Sequence, residues 1–324
     1  MVVVKPRVID YLKVIEEEKE ISEQLVPFDE VVADEAGSLP KGFAMVKGSS
    51  IMELYSIIKN DPNTHYKFCG YDYIMNSTEE EFRRMQFSAV IRKSRRETDF
   101  SRSELIGSRV SELFGVDCPY VAPLGKNNRI VASLDFLKYS QEMETFAEYT
   151  GAIFNRQASV SAWIRVFKRA LAKDKNYAGI TEEQVRGLVK EIIRHYLVRK
   201  FILKDNDFNC GNMAVVMGVE NAPSLVSFDF EFCLNNSIVF DYSGGLGPDF
   251  MERNIAELAK EYPQELDEVM KELQMTPERY RKIVGIMEEF LEYGTLAKTW
   301  ANSMSATINN LNQYQQQYSI GNVM

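Results

Sequence analysis

The sequence predicts an α+β protein of two lobes, strand-containing over residues 1–137 and mainly helical over 138–324. Three observations carry this. Phe87–Lys93 alternates and is rich in small and β-branched residues, which reads as a strand. From Ser159 onward the texture changes to long segments with apolar residues at three- and four-residue spacing. Between these helical segments lies Arg199–Phe232, which reads as a helix end, a polar loop and a β-hairpin.

Taken in order, residues 1–26 read as a helix from about Val8, with a solvated acidic face at Glu16–Glu20. Gly37–Gly42 followed by Phe43–Val46 reads either as a plain connection or as a glycine-rich strand–turn–strand over a nucleotide, and a helix is expected over Ser50–Lys59, ended by Asp61-Pro62-Asn63. After Phe87–Lys93, the stripe Leu105/Ile106, Val110 and Leu113/Phe114 predicts a helix over 102–114 with Gly115 as its C-terminal cap. Cys118–Gly125 and Arg129–Leu137 read as two strands around the polar turn Lys126–Asn128. In the second lobe, helices are expected over Ser161–Ala172 and over 182–203, the latter capped by Thr181-Glu-Glu-Gln184. His195 inside it reads as a packed core residue. Further helices follow at 248–262, 264–274, 277–293 and 295–318.

Composition narrows the function classes. The chain has 324 residues, 45% hydrophobic and 26% charged, enough for two lobes. A net charge of −9 and the absence of a basic block longer than Arg92–Arg96 disfavour nucleic acid as a partner. Cys69, Cys118, Cys210 and Cys233 show no paired C-x-x-C spacing and read as free thiols in a reducing compartment. With only His65 and His195, His-rich metal chemistry is excluded and a His-based triad is disfavoured. No run approaches the ~18 apolar residues of a membrane span, and no signal-peptide pattern opens the chain. The expected compartment is the cytoplasm, a secreted effector without a classical signal being compatible with the same features.

The chemistry concentrates in Lys204–Asn212 and the hairpin Met213–Met217/Ser224–Phe228, whose connection Gly218–Pro223 is turn-forming. Asp207, Asn212 five residues later, and Asp229 at the end of the second strand all fall at the mouth of this hairpin. Phosphoryl transfer from ATP asks for such a set: a carboxylate to orient and deprotonate a hydroxyl, and oxygen ligands to hold Mg²⁺ on the phosphates.

Asn206-Asp207-Phe208-Asn209-Cys210-Gly211-Asn212 before an apolar strand resembles the catalytic loop of HipA-like and CtkA-like serine/threonine kinases. The resemblance covers roughly Gln86 to Phe232 and implies a bilobal protein-kinase-like fold. It implies Asp207 as catalytic base, with Asn212 and Asp229 as metal ligands. Lys93 would grip the α- and β-phosphates. Glu104 would pair with Lys93, although Ser101-x-x-Glu104 also reads as a capping box. The hinge backbone at Leu134, Asp135, Phe136 and Leu137 would hold the adenine edge. Two departures are Asn209, where relatives often carry His, and Asp229-Phe230-Glu231, where a glycine is replaced. The implied cofactors are ATP and Mg²⁺, the implied substrate a protein Ser/Thr hydroxyl, and the implied partner a regulatory or antitoxin protein. No membrane is expected. Two alternatives stand beside this: a small-molecule phosphotransferase like aminoglycoside and choline kinases, and a kinase-shaped binding module without turnover.

Overall fold

The structure, a computed structural model, describes residues 25–26, 41–93, 100–124, 130–134, 142–152, 158–205, 207–217, 222–230, 233–234, 248–290 and 294–320. It divides into two compact units: Met1–Glu112 with Asp117–Ser140, and Leu113–Val116 with Gln141–Met324. The architecture is α+β, as expected, with a strand-rich first unit and a mainly helical second one.

The first unit is built on an antiparallel sheet in the order β1-β2-β3-β5-β4. Its strands are β1 (Leu25–Val26), β2 (Lys41–Lys47), β3 (Gln86–Lys93), β4 (Val121–Leu124) and β5 (Ile130–Leu134). Phe87, Ala89 and Ile91 are buried, as the alternation of β3 predicts. Lys93 is the last residue of β3, in register with Ile130 and on the same parity as that buried set. Leu25–Val26 is a strand paired with Met45 and Val46, which corrects the helix expected to run to residue 26. The rest of that helix, and the turn over 37–40, lie outside the described residues.

Helices α1 (Met52–Asn60), α2 (Tyr71–Met75), α3 (Glu79–Arg84) and α4 (Phe100–Leu113) complete this unit. Gly115 adopts φ 75°, a left-handed conformation that glycine takes without strain, and so ends α4 where the sequence predicts. The side chain of Ser101 lies outside the described residues, so the capping box read at Ser101-x-x-Glu104 is not placed. The helix already includes Phe100, so Ser101 is inside it, and Glu104 is fully buried.

The second unit holds a three-stranded sheet in the order β6-β7-β8, namely Glu142–Thr145, Met213–Met217 and Ser224–Ser227. Around it pack α5 (Phe146–Thr150), α6 (Val160–Leu171) and α7 (Glu182–Leu197). The carboxy-terminal helices are α8 (Pro248–Glu261), α9 (Pro263–Glu272), α10 (Pro277–Phe290) and α11 (Gly294–Ile320). The predicted capping box of α7 is present: Gln184 N–H donates to Thr181 Oγ1 at 3.2 Å and Thr181 N–H to Gln184 Oε1 at 2.9 Å. Phe146, Trp163, Phe167, Tyr196 and Phe208 form an aromatic cluster with neighbouring ring centroids 5.3 to 6.3 Å apart. It packs α6 and α7 against Phe208 of the following loop, and each fully buried aromatic contributes on the order of 1.5–3 kcal/mol. In α11, Ala297, Ala301, Met304, Ile308 and Leu311 are buried at alternating four- and three-residue spacing, so the Asn/Gln-rich tail is a docked helix.

Candidate active site

The site is assembled in the second unit from the end of α7, the loop after it and the β7–β8 pair. The helix expected over 182–203 keeps its α-form only to Leu197 and continues through Val198–Ile202 as a π-turn, with Leu203 N–H donating to the Val198 carbonyl at 2.8 Å. Such insertions often mark functional positions. This one carries two cations into the interior, Arg199 at 0% and Lys200 at 2% exposure. Charged side chains are almost never fully buried without partners, and the partners are what organise the loop.

Asp205, also fully buried, accepts from Arg199 Nε at 2.9 Å and from a second guanidinium nitrogen of Arg199 through the same Oδ2. Its other oxygen, Oδ1, accepts the Asp207 N–H at 3.0 Å. Asp205 is therefore a capping group for the turn that presents Asp207, and Asp207 itself is half-buried. Downstream, Asn209 Nδ2 donates to the Asp207 carbonyl at 2.7 Å, and Asn209 Oδ1 accepts the Gly211 N–H at 2.8 Å. Asn212 N–H closes on the Asn209 carbonyl at 3.0 Å, and Lys200 Nζ donates to the Phe208 carbonyl at 2.7 Å. Asn209 is thus a strut inside the loop: its short amide satisfies two backbone groups.

The hairpin brings the other acceptors to the same end. Met213 pairs with Ser227 in antiparallel register, and Phe228 N–H donates to the Asn212 carbonyl at 3.0 Å. Asn212 consequently lies opposite Phe228, one residue from Asp229, with its side chain buried. Asp229 has φ 62°, a left-handed conformation costing a non-glycine residue roughly 1–3 kcal/mol, so the surroundings must impose it. They do so through Arg199, which donates to the Phe228 carbonyl at 2.9 Å and to the Asp229 carbonyl at 2.7 Å.

An amide oxygen and a carboxylate at one strand end suit Mg²⁺, a hard ion that keeps waters and takes one or two protein ligands beside substrate phosphates. Among the described residues no group of three or more His, Cys, Asp or Glu converges as an all-protein metal cage.

Of the other sequence-predicted residues, Leu134 is buried at the end of β5, and its N–H donates to the Tyr120 carbonyl at 2.9 Å. That N–H is committed to the Tyr120 carbonyl. Asp135, Phe136 and Leu137 lie outside the described residues. The side chain of Lys93 does too, so the Lys93–Glu104 pair is not placed. Glu104 is buried within α4, flanked by buried Leu105 and Ile106. His195 is a fully buried core residue, as expected, and its Nδ1 lies 2.8 Å from Ser227 Oγ on β8.

Arg199 and Asp205 were not singled out by sequence reasoning. The signal for Arg199 is its place beside Lys200 within the apolar run Val198–Leu203, which no solvated helix face explains; Asp205 lies beyond that run and carries no such signal. A groove of about 610 Å³ lined by Glu144, Tyr149, Arg169, Lys173, Asp174 and Met217 lies at the opposite end of β7 from Asn212 and is not part of this site.

No family model matches the chain, and no curated relative matches it. Among the solved structures similar to it are two of known kinds. One is the proinflammatory kinase CtkA of Helicobacter pylori, with TM-score 0.48 and 13% identity, covering 71% of this chain and 89% of that one. The other is HipA of Shewanella oneidensis, in a toxin–antitoxin complex with HipB and its operator DNA. It gives TM-score 0.38 and 10% identity, covering 98% of this chain and 73% of that one. These are the two kinds of protein that the loop motif resembles. What the loop can do rests on its own residues.

Proposed function

We propose that this chain is an ATP- and Mg²⁺-dependent phosphotransferase that phosphorylates a serine or threonine hydroxyl of a protein. The observation that carries the reading is the gathering of Asp207, Asn212 and Asp229 at one end of the β7–β8 pair, tied by the Phe228–Asn212 hydrogen bond and the buried Arg199. Asp207 orients the acceptor hydroxyl and takes its proton. Asn212 and Asp229 would hold the Mg²⁺, which neutralises phosphate charge when bound. Lys93, at the end of β3, would meet the phosphates, and Glu104 would fix its ammonium. The Asn209 strut keeps the Asp207 carbonyl tied into the loop.

Protein specificity and a regulatory or antitoxin partner belong to the same reading and rest on the loop resemblance. So does a cytoplasmic location. Among the described residues no helix is long and apolar enough to cross a membrane.

Incubation of the purified chain with γ-labelled ATP and Mg²⁺, alone, with a generic protein acceptor, and with aminoglycosides or choline, tests this reading. Label is expected on protein, and it should disappear when Mg²⁺ is chelated. Label only on aminoglycosides or choline would move the assignment to small-molecule transfer. Nucleotide binding without any transfer would make the chain a binding module.

A further inference from the structure

We propose that Arg199 is a positioning residue: a single buried guanidinium that sets the Asp229 backbone and the Asp207 turn in one geometry. The inference deepens the phosphotransfer reading and rests on it.

Three contacts in different directions make the argument. Nε and a second nitrogen grip Asp205 Oδ2, while Asp205 Oδ1 holds the Asp207 N–H at 3.0 Å. The remaining donors reach the carbonyls of Phe228 at 2.9 Å and Asp229 at 2.7 Å. The faces of the guanidinium are covered by Phe208, with its ring centroid at 4.7 Å, and Phe230 at 3.9 Å. One plane therefore links the turn that carries the base to the residue that carries the metal-ligand carboxylate.

The two carbonyls are the informative part. Successive carbonyls of an extended chain point to opposite sides, so one cation cannot take both. They point the same way here because Asp229 leaves the strand conformation at φ 62°. The hydrogen bonds and the unusual torsion are one arrangement, and the torsion fixes the direction in which Asp229 leaves the backbone. The arrangement needs arginine. It uses donors spread around a planar fork with aromatic rings on both faces, which a tetrahedral lysine ammonium cannot reproduce. Cys233 Sγ, 3.5 Å from Asp205 Oδ2, and Lys200, bonded to the Phe208 carbonyl, pack around the same loop without reaching Asp229 in the described contacts.

A buried ion pair is weak evidence for a role beyond folding, because paired charges can often be replaced together without loss of stability. That property supplies the test. Arg199→Lys keeps the charge and loses the fork. Arg199→Met combined with Asp205→Asn removes both charges while keeping an acceptor for the Asp207 N–H. In the full-length chain, each variant is compared with wild type in three ways: cooperative melting, amide hydrogen exchange over 226–230 without nucleotide, and binding of a fluorescent ATP analogue with and without Mg²⁺.

In variants that melt cooperatively, exchange is expected to accelerate over 226–230 and not over β3. Mg²⁺-dependent affinity should fall ~10–100-fold, the usual loss when a group that orients a metal ligand is removed. Affinity without metal should stay as in wild type. Folded variants with wild-type exchange and wild-type metal dependence would overturn the proposal. Failure of both variants to fold would assign Arg199 to the core and overturn it as well. If wild type shows no metal-dependent nucleotide binding or transfer, the phosphotransfer reading falls, and the positioning of Asp207 and Asp229 as catalytic groups falls with it. The exchange measurement then still separates that failure from an absent backbone clamp.

Discussion

Arg199 in the second unit and Arg109 in the first are both buried arginines stacked on aromatic rings, and they hold different things. Arg109 pairs with both oxygens of Glu53 and donates to Tyr120 Oη at 2.9 Å, with its guanidinium 4.4 Å from the Tyr120 ring centroid. Those are side-chain partners on α1 and just before β4, and the Glu53 side chain is 58% exposed. Arg199 has no such outlet to water. Its carboxylate partner is buried and its other partners are main-chain carbonyls. A brace between side chains can slacken without moving the backbone. A clamp on carbonyls cannot, and it is found where Asp229 has a torsion that needs holding. The difference separates a contact that steadies a packed unit from one that shapes a site.

The largest effect expected from this contrast is kinetic. Asp207→Ala should reduce phosphotransfer by ~10²–10⁴-fold, the range for a positioned general base, while leaving nucleotide affinity nearly intact. Tyr120→Phe, which removes a hydroxyl from the Arg109 cluster, should leave turnover in place. Radiolabel transfer under single-turnover conditions reads both, and equal losses would erase the distinction between the clusters. The next effect is on stability. Asp205→Ala leaves Arg199 buried without its carboxylate and should cost ~3–5 kcal/mol. Chemical denaturation followed by tryptophan fluorescence suits this measurement, because Trp163 lies in the aromatic cluster beneath the loop.

A smaller and more specific effect concerns Glu104. Glu104 is buried, and Glu104→Gln separates its two accounts, since Gln serves a capping box as well as Glu but loses the charge that would orient Lys93. Transfer should drop, and a double-mutant cycle with Lys93→Met should be non-additive by ~0.5–3 kcal/mol. Additive losses would sink the pair and turn attention to Arg92, on the opposite parity of β3.

The sequence made the loop and hairpin legible for physical reasons. Gly218–Pro223 contains turn-forming residues, and the runs on either side become β7 and β8 to within one residue. Thr181 and Gln184 name a helix start because the capping box is a local device. Arg199 and Asp205 were not legible because they are six residues apart, a spacing that lies on no helix face. Only the π-turn and the left-handed Lys204, φ 50°, bring them together. β6 escaped notice because Glu142-Met-Glu-Thr145 carries a single apolar residue, and its pairing with β7 is a tertiary contact. Ser101-x-x-Glu104 leaves a capping box and a pairing with Lys93 both open, because the motif alone does not say where the helix begins. Burial of Glu104 depends on packing that no four-residue pattern encodes.

The last expectation concerns the weaker arm of the comparison. Glu53→Gln removes the charge opposite Arg109 but keeps an amide oxygen able to accept one of its hydrogen bonds. Tyr120 Oη, which now donates to Glu53 Oε2 at 3.0 Å, can turn toward the same oxygen. Because Glu53 is more than half exposed, water already screens its share of the pair. The loss should therefore be at most about 1 kcal/mol, as for solvent-facing ion pairs. It should also shrink as salt is raised from 0.05 to 1 M, where the screening length contracts to ~3 Å. Denaturation of the Glu53→Gln chain at the two salt concentrations measures this directly. A loss above ~3 kcal/mol that is indifferent to salt would mean that Arg109 is as desolvated as Arg199. The contrast between a surface-facing brace and a buried clamp would then have to be given up.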